Sequence, residues 1–247
     1  MPRHRSARTL LTAATLTAML ATGAALAACS PTPSSNAFAP SPQASDASPS
    51  ASAAGLISPQ NADDFGLPAG DGAVRIELWT DLSCPYCQKL EAATGDMISD
   101  AVAAGRATLV IHPMNFVSAK HGDQTDWSTR AANALAAVTN AGENDRLPAL
   151  YALLQEHQTL ADGSSHPTDD DLLGFIREAG VTTDLTNAVT TRPFAAWVSA
   201  SNDHWMGSTI AGTSQLVQGV PILVIDGRVV DLSAADAIDQ VRTAIGG

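Results

Sequence analysis

Val74-Arg75-Ile76-Glu77-Leu78-Trp79-Thr80-Asp81-Leu82-Ser83-Cys84-Pro85-Tyr86-Cys87 is the stretch on which the reading of this chain turns. Its first half alternates, with Val74, Ile76 and Leu78 on one face and Arg75, Glu77 and Trp79 on the other, so it predicts a strand over Val74–Thr80. Asp81-Leu82-Ser83 is a turn. A helix starts at Cys84, where Pro85 is accommodated because its missing N–H is not needed in a first turn. Two thiols separated by two residues at a helix start can close a small reversible disulfide, the basis of two-electron redox chemistry.

Downstream, Leu90, Ala93, Met97, Ile98 and Val102 continue at helical spacing, with Gly95 a point of kinking or division and Gly105 a stop. Ala107–Ile111 is a second strand closed by His112-Pro113. A strand–helix–strand of this length predicts parallel pairing. The middle reads as helices over Asp126–Ala141, Leu147–Gln158, Thr168–Ala179, Asp184–Thr190 and Phe194–Ala211. Thr168 is an N-cap candidate with Asp169, Asp170 and Asp171 in the first turn. Gly219-Val220-Pro221 then precedes Ile222-Leu223-Val224-Ile225. Asp226-Gly227 is a hairpin signal, with Arg228-Val229-Val230-Asp231 returning. Ser233 is expected to cap a last helix carrying Ala235, Ile238, Val241 and Ile245 on one face.

The N-terminal part is of another kind. Arg3, His4, Arg5 and Arg8 precede an uncharged, largely apolar run from Thr9 to Ala28, an export-signal pattern. An uncleaved membrane anchor and ordinary signal cleavage are the competing readings, because 20 uncharged residues suffice to span a bilayer. Of the 26 residues from 30 to 55, 20 are Ser, Pro or Ala, a composition that buries too little apolar surface to offset chain entropy. The expected organisation is a signal segment 1–28, a tether 29–66 and a domain 67–247, with a helical insertion at about 125–212. Without residues 1–28 the chain carries 13 − 3 = 10 basic and 25 acidic residues, a formal charge of −15. That excludes nucleic acid and an electrostatic hold on anionic lipid as expected partners. No cofactor is expected.

The order β-α-β, helical block, β-β-α, with Trp79–Cys87 after the first strand and Gly219–Gly227 about 130 residues later, resembles the thioredoxin fold. The helical block makes the chain similar to the DsbA-like thiol–disulfide oxidoreductases of bacterial envelopes. The expected fold class is therefore α/β, a thioredoxin fold with an inserted helical subdomain. Leu26-Ala27-Ala28-Cys29 separately resembles the lipobox of bacterial lipoproteins. That resemblance implies cleavage before Cys29, a lipid on its thiol and a lipid-anchored domain on the extracytoplasmic face of the cell membrane. It would leave Cys84 and Cys87 as an even pair, in a compartment where disulfides persist.

The DsbA-like resemblance further implies that Pro221 follows a cis peptide bond and faces the Cys84–Cys87 disulfide, with the Val220 backbone ready to pair with a substrate segment. A trans Pro starting an edge strand is the alternative. Cys84 is the expected nucleophile, its thiolate favoured by the helix dipole and by the N–H groups of Tyr86 and Cys87. Cys87 is the expected resolving thiol. The expected partners are exported thiol-containing proteins and a membrane redox partner that reoxidises or reduces the pair. Donation of disulfides is the first reading. Reduction or isomerisation is the second, and a non-catalytic thioredoxin-like binding lipoprotein the third. Zinc needs four ligands, and neither a second Cys pair nor a metal spacing among His112, His121, His157, His166 and His204 supplies them. A permanent structural disulfide is a further alternative, although so small a loop contributes little entropy. One departure from the family stands out. An acid is expected six residues before the first Cys, and this chain has Leu78 there. Asp81, on the turn, is the substitute candidate for moving the Cys87 proton.

Overall fold

The computed structural model describes residues 55–158 and 167–246. Cys29, the export segment, most of the tether and His166 lie outside the described residues. The strands are β1 (Leu67–Ala69), β2 (Val74–Asp81), β3 (Ala107–Met114), β4 (Ile222–Ile225) and β5 (Arg228–Val229). Helix α1 (Pro85–Ala103) joins β2 to β3. Helices α2 (Phe116–His121), α3 (Trp127–Asn140), α4 (Leu147–Glu156), α5 (Asp169–Glu178), α6 (Thr186–Thr191) and α7 (Ala195–Trp205) lie between β3 and β4, and α8 (Ala237–Ile245) follows β5.

The five strands form one sheet in the order β1-β3-β2-β4-β5. Strands β2 and β3 run parallel from Val74 opposite Ala107 to Asp81 opposite Met114, as a strand–helix–strand crossover requires. Strand β4 lies antiparallel on the other side of β2, with Leu78 opposite Leu223. The alternation read in β2 separates two cores. Ile76 and Leu78 pack with Ile98, Ala101 and Val102 of α1, whereas Trp79 faces the opposite layer with Met114, Val224 and Trp205. Helix α1 runs unbroken through Gly95. The glycine makes room for the Glu91 carboxylate, which lies where a Cβ would stand.

Helix α3 is buried from Trp127 through Thr139. Its alanines allow close approach on every side, and Asn133 and Arg130 find partners inside the fold. Asn133 donates to Ala188 O at 2.9 Å and accepts from Phe194 N–H at 3.0 Å. Arg130 reaches Asp169 Oδ1 at 2.7 Å and Pro167 O at 2.9 Å. Helix α5 carries the expected Thr168 cap as a reciprocal capping box with Asp171.

Several boundaries differ from the sequence reading. Strand β3 does not close at His112-Pro113 but runs through both to Met114, because it stays paired with β2 as far as Asp81, and β5 stops at Val229. The folded part begins before Leu67: Leu56 and Phe65 pack on the main core, and Asn61 Nδ2 donates to Thr139 O at 2.9 Å. Helix α7 ends at Trp205 instead of Ala211, because Gly207 takes a left-handed φ of 80° and its N–H bonds Val217 O at 2.8 Å. Ser233 does not cap the last helix. Its N–H and hydroxyl turn back to Asp231 Oδ1 at 3.0 and 2.6 Å, and α8 starts after Asp236. Helix α2 has no counterpart in the sequence reading. Among the described residues, no helix is long and apolar enough to cross a membrane.

Candidate active site

Cys84 stands at the N-cap of α1 in extended geometry, with Pro85 opening the first turn. Cys84 retains 6% of its surface and Cys87, one turn inside, 1%. Both thiols are free and sit in a small apolar patch with Val117, Phe116 and Val220. The Val220–Pro221 peptide bond is cis, and Cys84 Sγ donates to Val220 O at 3.6 Å. Cys84, Cys87, Val220 and Pro221 are thus brought together as expected. A groove of about 330 Å³ adjoins them, lined by Tyr86, Leu90, Val220, Pro221, Leu232 and Ile238 among others. Tyr86 is 68% exposed at its rim.

The two sulfurs are electrostatically unlike. The Cys87 thiol donates to the Cys84 sulfur, and the N–H groups of Cys87 and Tyr86 add to it. Together they outweigh burial and pull Cys84 down to about 7. Burial first, and the neighbouring Cys84 second, push Cys87 well above the ordinary thiol range. Of the two thiols, Cys84 is therefore the more readily ionised near neutral pH, and Cys87 holds its proton.

Asp81 is fully buried. Its Oδ1 accepts from Ser83 N–H at 2.9 Å and from the Ser128 hydroxyl. Its Oδ2 accepts from Val117 N–H at 2.9 Å. Burial nevertheless wins over the three donors and raises Asp81 to about 6. The carboxylate's charge in turn works against the Cys84 thiolate. The cage continues through Ser118, which accepts from Ser128 N–H and donates to Asp123, both at 2.9 Å. Leu78 lies in the main core, and Glu77 turns to the other face beside His112, whose hydrogen bond lowers it. No acid occupies the place of Leu78.

Working the other way on Cys87, less strongly than burial and Cys84, are the Thr80 hydroxyl and the Asp81 backbone N–H. Thr80 Oγ1 is 2.7 Å from Tyr151 OH. Gln155 Nε2 donates to both, at 3.2 and 2.9 Å. Sequence reasoning missed Thr80, Val117, Ser128, Tyr151, Gln155 and Gln158. The one usable signal was the i, i+4 spacing of Tyr151 and Gln155, which puts both on one face of α4. Trp127 and Trp197 are core, and His112 stacks on Trp79 at 4.3 Å between ring centroids. Among the described residues, no group of three or more His, Cys, Asp or Glu side chains is placed to hold a metal ion.

The family model described as thioredoxin matches residues 69–245. The chain belongs to the thioredoxin family. Its fold is similar to that of the reduced disulfide bond oxidoreductase DsbG of Mycobacterium tuberculosis, with 17% identity over 74% of this chain and 88% of that one, at a TM-score of 0.59. It is also similar to DsbA of the same organism (16% identity, 74% and 93% of the two chains, TM-score 0.59). MdbA of Corynebacterium diphtheriae, a thiol-disulfide oxidoreductase, gives 21% identity, 73% and 90% coverage and a TM-score of 0.58. At these identities the likeness is one of fold: a thioredoxin sheet with an inserted helical block, the DsbA-like architecture. No curated protein matches the sequence.

Proposed function

We propose that this thioredoxin-family chain is a protein thiol–disulfide oxidoreductase that donates disulfides to exported proteins through the Cys84–Cys87 pair. A substrate thiolate attacks Cys84 Sγ of the oxidised pair, a new substrate–Cys84 disulfide forms, and Cys87 leaves as a thiolate and takes up a proton. A second substrate thiolate then attacks the substrate sulfur of that mixed disulfide and releases the Cys84 thiolate. Two electrons pass from the substrate to the pair, and a membrane redox partner of disulfide chemistry reoxidises it. The observation that carries the reading is Cys84 Sγ at the N-terminus of α1, held at about 7 and 3.6 Å from Val220 O on the cis Pro221 loop. A thiolate stabilised in the reduced form makes the disulfide form oxidising.

One observation favours reduction as the second reading. The buried Asp81 charge raises Cys84 and so weakens the oxidant. Equilibration against glutathione decides between them. A reduction potential above about −200 mV supports donation, and one near about −270 mV overturns it in favour of reduction. Cys87→Ala should accumulate mixed disulfides with substrate proteins, and Cys84→Ala should not.

Export and anchoring belong to the same proposal. The basic start, the apolar run and Leu26-Ala27-Ala28-Cys29 support a lipid on Cys29 and a domain held on the extracytoplasmic face. Metabolic labelling with palmitate should vanish in Cys29→Ser, and unchanged labelling overturns the anchor.

A further inference from the structure

We propose that Val117, held in place by Asp81 and Ser128, is the specificity-determining residue that closes Cys87 to outside thiols and disulfides and so confines exchange to Cys84. The inference deepens the exchange reading of the Cys84–Cys87 pair and rests on it. Val117 packs against the two cysteines. Asp81 and Ser128 are positioning residues that act through it.

Helix α2 is too short to hold itself. It has six residues, and the side chain of its N-cap, Asn115, makes no capping bond. Its first-turn N–H groups therefore need acceptors from elsewhere. Val117 N–H donates to Asp81 Oδ2 at 2.9 Å, and Ser118 N–H donates to Ser128 Oγ at 3.2 Å. Ser128 in turn donates its hydroxyl to Asp81 Oδ1 and its N–H to Ser118 Oγ, the latter at 2.9 Å. The Ser118 hydroxyl proton goes to Asp123 Oδ2 at 2.9 Å, because a carboxylate only accepts. The Ser83 hydroxyl, 2.9 Å from Ser118 Oγ, is then the donor of that pair. Asp81 also shapes the turn that leads into the motif. Its Oδ1 accepts from Ser83 N–H at 2.9 Å, and its backbone carbonyl accepts from Cys84 N–H at 3.1 Å. One buried residue thus fixes both the N-cap of α1 and the first turn of α2.

That placement makes α2 a wall of the site. The buried members of the thiol patch are Cys84, Cys87 and Val117, with Phe116 and Val220 packed against them. Val220 belongs to the cis Pro221 loop, and its carbonyl engages Cys84 Sγ. Val117 offers only methyl groups, and Cys87 keeps less surface than Cys84. Access matters because a closed pair has two electrophilic sulfurs. Attack by a substrate thiolate on either one forms a substrate–cysteine disulfide, breaks the Cys84–Cys87 bond and expels the other cysteine as a thiolate. Which sulfur is attacked depends on which can be reached. With Cys87 behind Val117, the new disulfide forms at Cys84, beside the Val220 carbonyl, and Cys87 is kept for the departing and resolving role.

The test isolates Cys87 and compares two reagents of different bulk. In the full chain, Cys29→Ser with Cys84→Ala leaves Cys87 as the only thiol. Mass spectrometry at one pH follows its reaction with methyl methanethiosulfonate, which is small, and with glutathione disulfide, which is bulky. Both reagents draw on the same thiolate. A change in the charge of Cys87, whether felt from Asp81 or from the buried Glu91 of α1, therefore moves both rates alike and cancels in their ratio. Removing a wall does not cancel. Val117→Ala should speed the bulky reagent about tenfold more than the small one. Val117→Thr keeps the volume but loosens the fold through a buried hydroxyl, and should leave the ratio at its starting value. Ser128→Ala should move the ratio as Val117→Ala does, by about threefold. An unmoved ratio in Val117→Ala, or one that Val117→Thr moves as far, overturns the wall. An unmoved ratio in Ser128→Ala overturns the holding of α2, and the whole inference if Val117→Ala does not fold. A chain that keeps Cys84 and forms no adduct with glutathione disulfide overturns the exchange reading instead, a result distinct from any value of the ratio.

Discussion

Two polar networks lie beside the Cys84–Cys87 motif, one around Asp81 and one around Thr80, and they are built on opposite chemistry. One is acidic: Asp81 is caged by Ser83, Val117 and Ser128 and linked through Ser118 to Asp123, drawing on α2 and α3. The other is neutral: Thr80, Tyr151, Gln155 and Gln158 hang largely from α4. Neighbours on one strand, Thr80 and Asp81, point to opposite faces and so enter different networks. The acidic one opposes charge on Cys84, and the neutral one favours charge on Cys87. The difference shows how one helical insertion can adjust two sulfurs of a single four-residue motif separately.

The largest expected effect that tests this division is on stability. Folded Asp81 keeps its proton to about pH 6, whereas the unfolded chain releases it near 3.8. The folded state therefore binds more protons in that window, and stability falls as pH rises through it. Urea unfolding of the unsubstituted chain should lose up to about 3 kcal/mol more between pH 4 and 7 than Asp81→Asn does. Equal slopes would show that the cage keeps Asp81 ionised throughout. Next, Asp81→Asn should lower the pH midpoint of Cys84 alkylation by about half a unit to one unit, and make the pair more oxidising by up to about 30 mV. Thr80→Val should raise the alkylation midpoint of Cys87 instead, because the hydroxyl lowers it. Variants that each moved the other sulfur would break the division.

Ser128→Ala removes one donor from the caged carboxylate and should cost about 1–2 kcal/mol in urea unfolding. An unchanged midpoint would mean that water replaces the hydroxyl. The smallest effect belongs outside both networks. Thr168→Ala deletes the capping box of α5 and should cost about 1 kcal/mol, with neither thiol midpoint moved. A thiol shift in that variant would mean that the whole insertion, and not the two networks, sets the chemistry.

Much of this was legible in the chain itself. The alternation of Val74–Trp79, the CPYC helix start, the Val220-Pro221 step and the Asp226-Gly227 hairpin are local signals, and each lies where it was read. Helix α2 was missed because six residues are too few to show a period. The overlong α7 and the misread Ser233 cap share a cause: a left-handed glycine and a competing side-chain turn outcompeted weak periodicity.

Sequence alone determined most of the elements, the motif and the family-like order of the two halves, because these rest on spacing within a dozen residues. It also showed that Leu78 leaves the usual acid position without an acid. Only the tertiary structure decided which polar groups gather behind the motif. Tyr151 and Gln155 are 71 and 75 residues from Thr80 along the chain. Their meeting depends on how α4 packs against α1 and on the hydrogen bonds it makes with β2. No local pattern encodes either, because hydrogen-bond partners are chosen by three-dimensional proximity and by the need to satisfy every buried donor.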